Sequence, residues 1–155
     1  MPAWLRRMLE DGARVTIQTQ IGPTGRIVRV EAVANETPNL VPVLARLSHL
    51  DSSVQHAIYC SPKVHHICKM PKEGGFCGYR NIQMMISYIR EAKAEGHTHF
   101  RGKTPSILRI QDMIEDAWDM GYNSAGKIET GGIRLTRKYI GTPEAQAFFN
   151  SLHIP

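Results

Sequence analysis

No apolar stretch of this chain approaches the roughly 18 residues that a membrane-crossing helix needs. The opening Met1-Pro2-Ala3-Trp4-Leu5-Arg6 also lacks the basic-then-apolar layout of a secretory signal. Cysteine is scarce: Cys60, Cys68 and Cys77 form an odd set, which excludes a disulfide framework as the organising principle. The expectation is a protein of a reducing compartment, cytoplasmic and/or nuclear, with no membrane partner. Aromatics make up only 7% of the 155 residues and form no stacking platform. The cations are dispersed as Arg6-Arg7, Arg26 and Arg29, Lys69 and Lys72, Arg101 and Lys103, and Arg134, Arg137 and Lys138. The net charge of +5 therefore does not make nucleic acid the expected main partner. Repeats and low-complexity tracts are missing too.

What is present is a chain 42% apolar and 21% charged, the balance of one globular domain. At this length about 68–70% of the unfolded surface can be buried, so no staple is required. Each thiol is then core filler, metal ligand or nucleophile. Trp4, Leu5, Met8 and Leu9 predict a short amphipathic helix ending at Gly12. Val15, Ile17 and Ile21, then Gly22-Pro23-Thr24-Gly25, then Val28, Val30 and Ala32 predict a hairpin. Asn39 is the expected cap of a helix striped by Leu40, Val43, Leu44 and Leu47, which ends at Asp51-Ser52-Ser53.

Residues 59–78 read as an irregular, extended approach to a helix. From Tyr79 onward Ile82, Met85, Ile86 and Ile89 recur at helical spacing, fading near Gly96. A second helix is predicted with Thr104 as N-cap, Pro105 at its first position, and Ile107, Ile110, Ile114 and Trp118 inward until Gly121. A glycine-rich loop (Gly126, Gly131, Gly132) follows. Thr142-Pro143-Glu144 then opens a third helix carrying Phe148, Phe149 and Leu152.

Cys77 stands at the predicted start of a buried helix, with Gly74, Gly75 and Gly78 around it. A thiol attacks as thiolate, and the free N–H groups and macrodipole of a helix N-terminus favour that form. Flanking glycines let a substrate backbone approach, and N–H groups near Cys77 can face a developing oxyanion, as covalent acyl transfer requires. Two other readings stand beside this one. Free cysteine is among the most buried residue types, and an isolated cysteine beside Phe76 is more often packing than chemistry. Cys60, His65 or His66, Cys68 and Cys77 could instead form a zinc-binding module, although seven and eight intervening residues depart from paired C-x(2–4)-C knuckles. Without that pairing His65 and His66 are ordinary loop or core histidines, and no metal or cofactor is assigned.

Read together, Gly74-Gly75-Phe76-Cys77-Gly78-Tyr79-Arg80-Asn81-Ile82-Gln83-Met84-Met85 resembles the nucleophile motif of the Ufm1-specific protease family. These are papain-like cysteine peptidases that remove ubiquitin-fold modifiers, and the motif is most similar to the zinc-finger-containing, polyubiquitin-cleaving branch. Two further stretches keep order and separation: Ile107 to Trp118, with Ile114-Glu115-Asp116-Ala117-Trp118, and Tyr139-Ile140-Gly141-Thr142-Pro143-Glu144, similar to a Trp-Ile-Gly-x-x-Glu signature. The resemblance runs from about Tyr59 to Pro155. It implies an α+β chain: residues 1–58 as helix, hairpin and helix, and residues 59–155 as the mainly helical, nucleophile-bearing half of a papain-like peptidase domain.

By the same resemblance Cys77 attacks the carbonyl joining a modifier's C-terminal glycine to lysine, and Gly78 borders the oxyanion. Gly75, Phe76, Glu144 and Asn123 line the substrate, Glu144 gripping an arginine of the tail. The implied partner is ubiquitin or polyubiquitin, with Ufm1 as the alternative. Tyr139 and Phe76 replace tryptophans of the family pattern, Asn123 stands where the branch has an acid, and no zinc-finger pattern is present. Of the histidines after Cys77, none of His97, His99 and His153 matches the family's catalytic context. Two accounts follow: a fragment whose missing C-terminal half supplies the catalytic His and Asp, or a shortened relative that binds ubiquitin or Ufm1 without cleavage. A fragment is expected to expose Ile86, Ile89, Phe148 and Phe149, whereas a closed core favours the binding reading.

Overall fold

The computed structural model describes residues 1–11 and 15–155; the helix stop expected at Gly12 lies outside them. Helix α1, Ala3–Asp11, buries Leu5 and Leu9, one turn apart, and leaves Trp4 in solvent. Strands β1 (Val15–Ile21) and β2 (Ile27–Val33) pair antiparallel from Ile21↔Ile27 to Val15↔Val33. The expected Gly-Pro-Thr-Gly tetrad turns the chain, with Gly25 at φ 77° and its N–H donating to the Gly22 carbonyl at 2.9 Å. The hairpin covers no core, so Ile17, Ile21 and Ile27 are all exposed.

Two short strands escaped the sequence reading: β3 (Glu36–Thr37) and β4 (His66–Ile67), paired antiparallel. They dock the hairpin arm on the rest of the chain. Buried Asn35 donates from Nδ2 to the Cys68 carbonyl at 3.0 Å and accepts the Cys68 N–H at 2.9 Å, while His65 Nδ1 meets the Glu36 carboxylate. Helix α2, Leu40–Leu50, carries the predicted apolar stripe but buries no residue. Asn39 precedes it in the left-handed region (φ 59°) and makes no side-chain cap.

The core lies among α3 (Cys77–Ala92), α4 (Ile107–Asp119) and α6 (Thr142–Ser151). Tyr79, Ile82, Ile86 and Ile89 of α3 meet Ile107, Ile110, Ile114 and Trp118 of α4 and the Phe148-Phe149 pair of α6, with α1 completing one side. Phe148 packs edge-on to Phe149 at 4.9 Å and stacks with Phe100 at 6.1 Å. Ile86, Ile89, Phe148 and Phe149, expected to be exposed in a fragment, are therefore buried. The exposed apolar surface lies elsewhere, on α2, the hairpin and the opposite face of α3.

Two expectations in the second half need correction. The N-cap of α4 is Ser106, not Thr104: the Ser106 hydroxyl accepts the Arg109 N–H at 3.2 Å, whereas the Pro105 carbonyl is held by Gln83. The glycine-rich loop contains a further helix, α5 (Ala125–Thr130), where Gly126 lets the backbone lie against the Trp118 indole. A Cβ at Gly126 would sit 2.9 Å from that ring.

The contrast between core and arm is testable by denaturant unfolding. Phe148→Ala should cost about 3–5 kcal/mol through lost burial and the cavity left behind. Leu47→Ala on exposed α2 should stay within about 0.5 kcal/mol.

Candidate active site

The approach to Cys77 is held by a buried ion pair. Glu73 is 0% exposed, and its carboxylate accepts the Met70 N–H (2.8 Å) and two Arg80 donors, Nε (3.2 Å) and Nη2 (2.7 Å). The third arm of the guanidinium donates to Gln83 Oε1 at 2.9 Å, and Gln83 Nε2 donates to the Pro105 carbonyl at 2.7 Å. One bidentate pair thus ties the turn before the cysteine to α3, and through Gln83 to the entry of α4. The signal for it was visible: Arg80, Gln83 and Ser87 fall at helical spacing on a face that is otherwise apolar, where a polar side chain must find partners.

Gly74, at φ 88°, turns the chain in a conformation that favours glycine. Phe76 is wholly buried with its ring 5.6 Å from Tyr79, so only its backbone faces the site. The next residue, Cys77, is exposed at the first position of α3. The N–H groups of Cys77 and Gly78 make no backbone hydrogen bond among the described residues, leaving the donors of the opening turn free.

The segment Arg137–Ile140 closes over this turn. A Cβ added at Gly74 would sit 2.9 Å from Arg137 Nη2, one at Gly75 2.4 Å from the Tyr139 ring, and one at Gly78 2.7 Å from the Ile140 carbonyl oxygen. Glycine at 75 and 78 is thus a packing requirement rather than the access route the sequence suggests. Tyr79 holds the other side: its hydroxyl lies 3.4 Å from both the Lys138 carbonyl and Gln111 Nε2. Burial pushes that hydroxyl up to about 12; the Gln111 bond opposes, and the carboxylates Glu144 and Glu115 add to the rise.

Gln111 and Glu115, both buried on α4, anchor the loop that leads into this segment. Gln111 accepts the Leu135 N–H at 3.0 Å and donates to the Thr136 carbonyl at 3.2 Å. Glu115 Oε1 accepts the N–H groups of Ile133 (2.6 Å) and Arg134 (2.8 Å). Burial works to raise the Glu115 carboxyl, but those two amides and the Arg134 and Lys127 charges outweigh it and hold the group below the usual carboxylate range.

The structure brings Glu144 and Asn123 together at the start of α6. Glu144 is half-buried and accepts the Gly141 N–H at 2.7 Å through Oε2, while Asn123 Nδ2 donates to the Pro143 carbonyl at 3.0 Å. Both side chains therefore hold the helix entry one segment away from the cysteine turn. The histidines are elsewhere. His97 and His99 lie in an exposed 3-10 turn, His153 is exposed near the C-terminus, and no histidine among the described residues is hydrogen-bonded to Cys77. Cys60, Cys68 and Cys77 are all exposed, and no three His, Cys, Asp or Glu side chains converge as a metal site among the described residues.

From Cys77 an open face continues along α3 through Asn81, Met84, Met85 and Tyr88. These residues line an apolar groove of about 540 Å³ together with Cys60, Val64 and Phe149. The sequence reading counted Met85 with the apolar stripe of α3, but the structure leaves it 50% exposed on this open face.

Among the described residues the molecule is thus an α+β chain of six helices and two small antiparallel sheets, with an exposed thiol on the first turn of α3. The sequence model described as Peptidase family C78 matches residues 53–155, and the chain belongs to that family. It is 28% identical over 121 residues to the zinc finger-containing ubiquitin peptidase 1 of Mus musculus and to that of Homo sapiens, covering 77% of this chain and 21% of each relative. It is 30% identical over 82 residues to the ubiquitin carboxyl-terminal hydrolase mug105 of Schizosaccharomyces pombe, covering 52% of this chain and 33% of that protein. The chain thus spans about a fifth to a third of the length of these relatives.

Glu73→Gln should destabilise the domain by about 3–5 kcal/mol in urea, because it leaves the Arg80 guanidinium buried without its carboxylate. Pairing Glu73→Leu with Arg80→Met should recover most of that loss. The Glu115 contribution has a definite sign with pH. It is fully present above the unfolded glutamate range, about 4.3, and fades as the pH falls through the lowered folded value. Thermal unfolding of Glu115→Gln across pH 2–6 should lose that part of the acid dependence.

Proposed function

We propose that residues 59–155 form the nucleophile-bearing part of a papain-like thiol isopeptidase that releases ubiquitin or a ubiquitin-like modifier from lysine, with Cys77 as nucleophile. The observation that carries this reading is the exposed Cys77 thiol at the first position of α3, beside the unpaired N–H groups of Cys77 and Gly78. Family membership and the names of the relatives support the substrate class.

The Cys77 thiolate adds to the isopeptide carbonyl, and the oxyanion that forms takes the free N–H groups of the opening turn. Collapse breaks the C–N bond and the lysine amine leaves with the proton the thiol gave up to solvent, leaving the modifier as a thioester on Cys77. Water then attacks the thioester, the modifier leaves as a carboxylic acid and the thiol is regenerated. Glu144 keeps Oε1 available for an arginine of the modifier tail, since Oε2 is held by Gly141.

A second reading, binding without cleavage, has two observations in its favour: the core closes over Ile86, Ile89, Phe148 and Phe149, and Cys77 has no histidine partner among the described residues. A general acid–base is worth about 10²–10⁴-fold in rate.

The two are separated by ubiquitin and Ufm1 carrying a C-terminal electrophile. An isopeptidase should form an adduct at Cys77, located by mass spectrometry, that is absent in Cys77→Ala and much weakened in Glu144→Lys. A wild-type chain that binds either modifier yet forms no adduct would establish the binding reading instead.

A further inference from the structure

Helix α2 and the open face of α3 are two apolar surfaces that find no cover within the folded chain. The stripe of α2 leaves Val43, Leu44 and Leu47 41–57% exposed, and the helix buries no residue. The groove of about 540 Å³ on α3 presents Met84, Met85 and Tyr88, with Cys60 and Val64 along one side. The two surfaces are neighbours. The Tyr59 hydroxyl lies 3.3 Å from the Leu44 carbonyl and beside Ser48 Oγ, which holds α2 next to the segment that edges the groove, yet no α2 residue lines it.

The amount of uncovered surface is large. The chain exposes 10049 Å², about 2,200 Å² more than a compact monomer of its mass. Each partner in a standard stable interface contributes only about 800 Å². A projecting apolar helix and an empty apolar groove on one chain are the two halves of a helix-in-groove contact, and a two-fold axis satisfies both at once and closes the assembly. The lengths agree: the 11 residues of α2 span about 16 Å, and the groove follows α3 for about 12 Å between Asn81 and Tyr88. The charges agree as well. Helix α2 has no acidic residue, and exposed Arg46 flanks its stripe one turn from Val43 and Leu50; exposed Glu95 is the one charged residue among the described lining of the groove.

We propose that this chain forms a two-fold dimer in which α2 of each copy lies in the α3 groove of the other, with Arg46 against the partner's Glu95. The contact covers α3 from one turn beyond Cys77 onward, so it is independent of what the thiol does.

Sedimentation velocity over a concentration series tests it. Wild type should dimerise with a micromolar or tighter Kd, the range open to an interface of this size. Val43→Glu on the helix and Met85→Glu in the groove should each weaken dimerisation at least about tenfold. Both positions are exposed in the single chain, so urea unfolding of the diluted monomer should not change. Arg46→Glu and Glu95→Arg should each weaken the dimer, and the two together should restore it. A wild type that sediments as a monomer throughout overturns the inference, as does a dimer indifferent to Val43→Glu and Met85→Glu or one that the charge swap fails to restore. A monomer in which Val43→Glu and Met85→Glu instead weaken binding of added ubiquitin overturns it too, and gives this face to the modifier.

Discussion

The Glu73–Arg80 pair is the constraint from which the site is built. A bidentate guanidinium–carboxylate contact at essentially zero exposure is costly to desolvate and tolerates little distortion, so it persists only in its full set of bonds. Those bonds run to the turn at Met70, to Gln83 on α3 and onward to the Pro105 carbonyl before α4. The four residues between Glu73 and Gly78 are therefore stretched between a buried anchor and the opening turn of a buried helix. Cys77 is thereby left exposed at the first position of α3.

Gly74, Gly75 and Gly78 serve the same end from the opposite side. Each is the point at which Arg137, Tyr139 or Ile140 comes down on the cysteine turn. Those residues are in turn placed by Gln111 and Glu115, whose side chains replace the missing backbone partners of the 133–136 loop. Buried polar groups on α3 and α4 thus position two loops, and the loops meet at the cysteine. A half-satisfied member of such a network costs more than an apolar replacement, so all its bonds have to be made together.

The amino-terminal arm follows a different logic. The hairpin and α2 keep their apolar residues in solvent, and the arm joins the rest of the chain through the β3–β4 bridge, Asn35 and the Glu36–His65 contact. The open face of α3 beyond Cys77, with Met84, Met85 and Tyr88 along its groove, is apolar in the same way. Burial is concentrated between α3, α4 and α6, and the match to the peptidase family starts just before that region, at residue 53.

Local pattern was enough to place α1, the hairpin, α2, α3 and α6 near their observed positions, because each is written as a run of apolar residues at a regular spacing with turn residues at its ends. It was also enough to put Cys77 at a helix start and Glu144 in the first turn of another. It missed Ser106 as a cap, α5 inside a glycine-rich stretch and the two-residue strands, where hydrogen bonds to distant residues decide the conformation. Periodicity tells which face of a helix is apolar and says nothing of what covers it. The stripe of α2 therefore stayed in solvent while Ile86 and Phe148 went inside. The sequence by itself determined a thiol flanked by glycines at the start of an amphipathic helix. Only the tertiary structure decided that Arg80 is buried against Glu73 and that Phe76 turns into the core. It alone placed Tyr139, more than sixty residues away, on Gly75, because contacts between segments so far apart are settled by the packing of the whole chain.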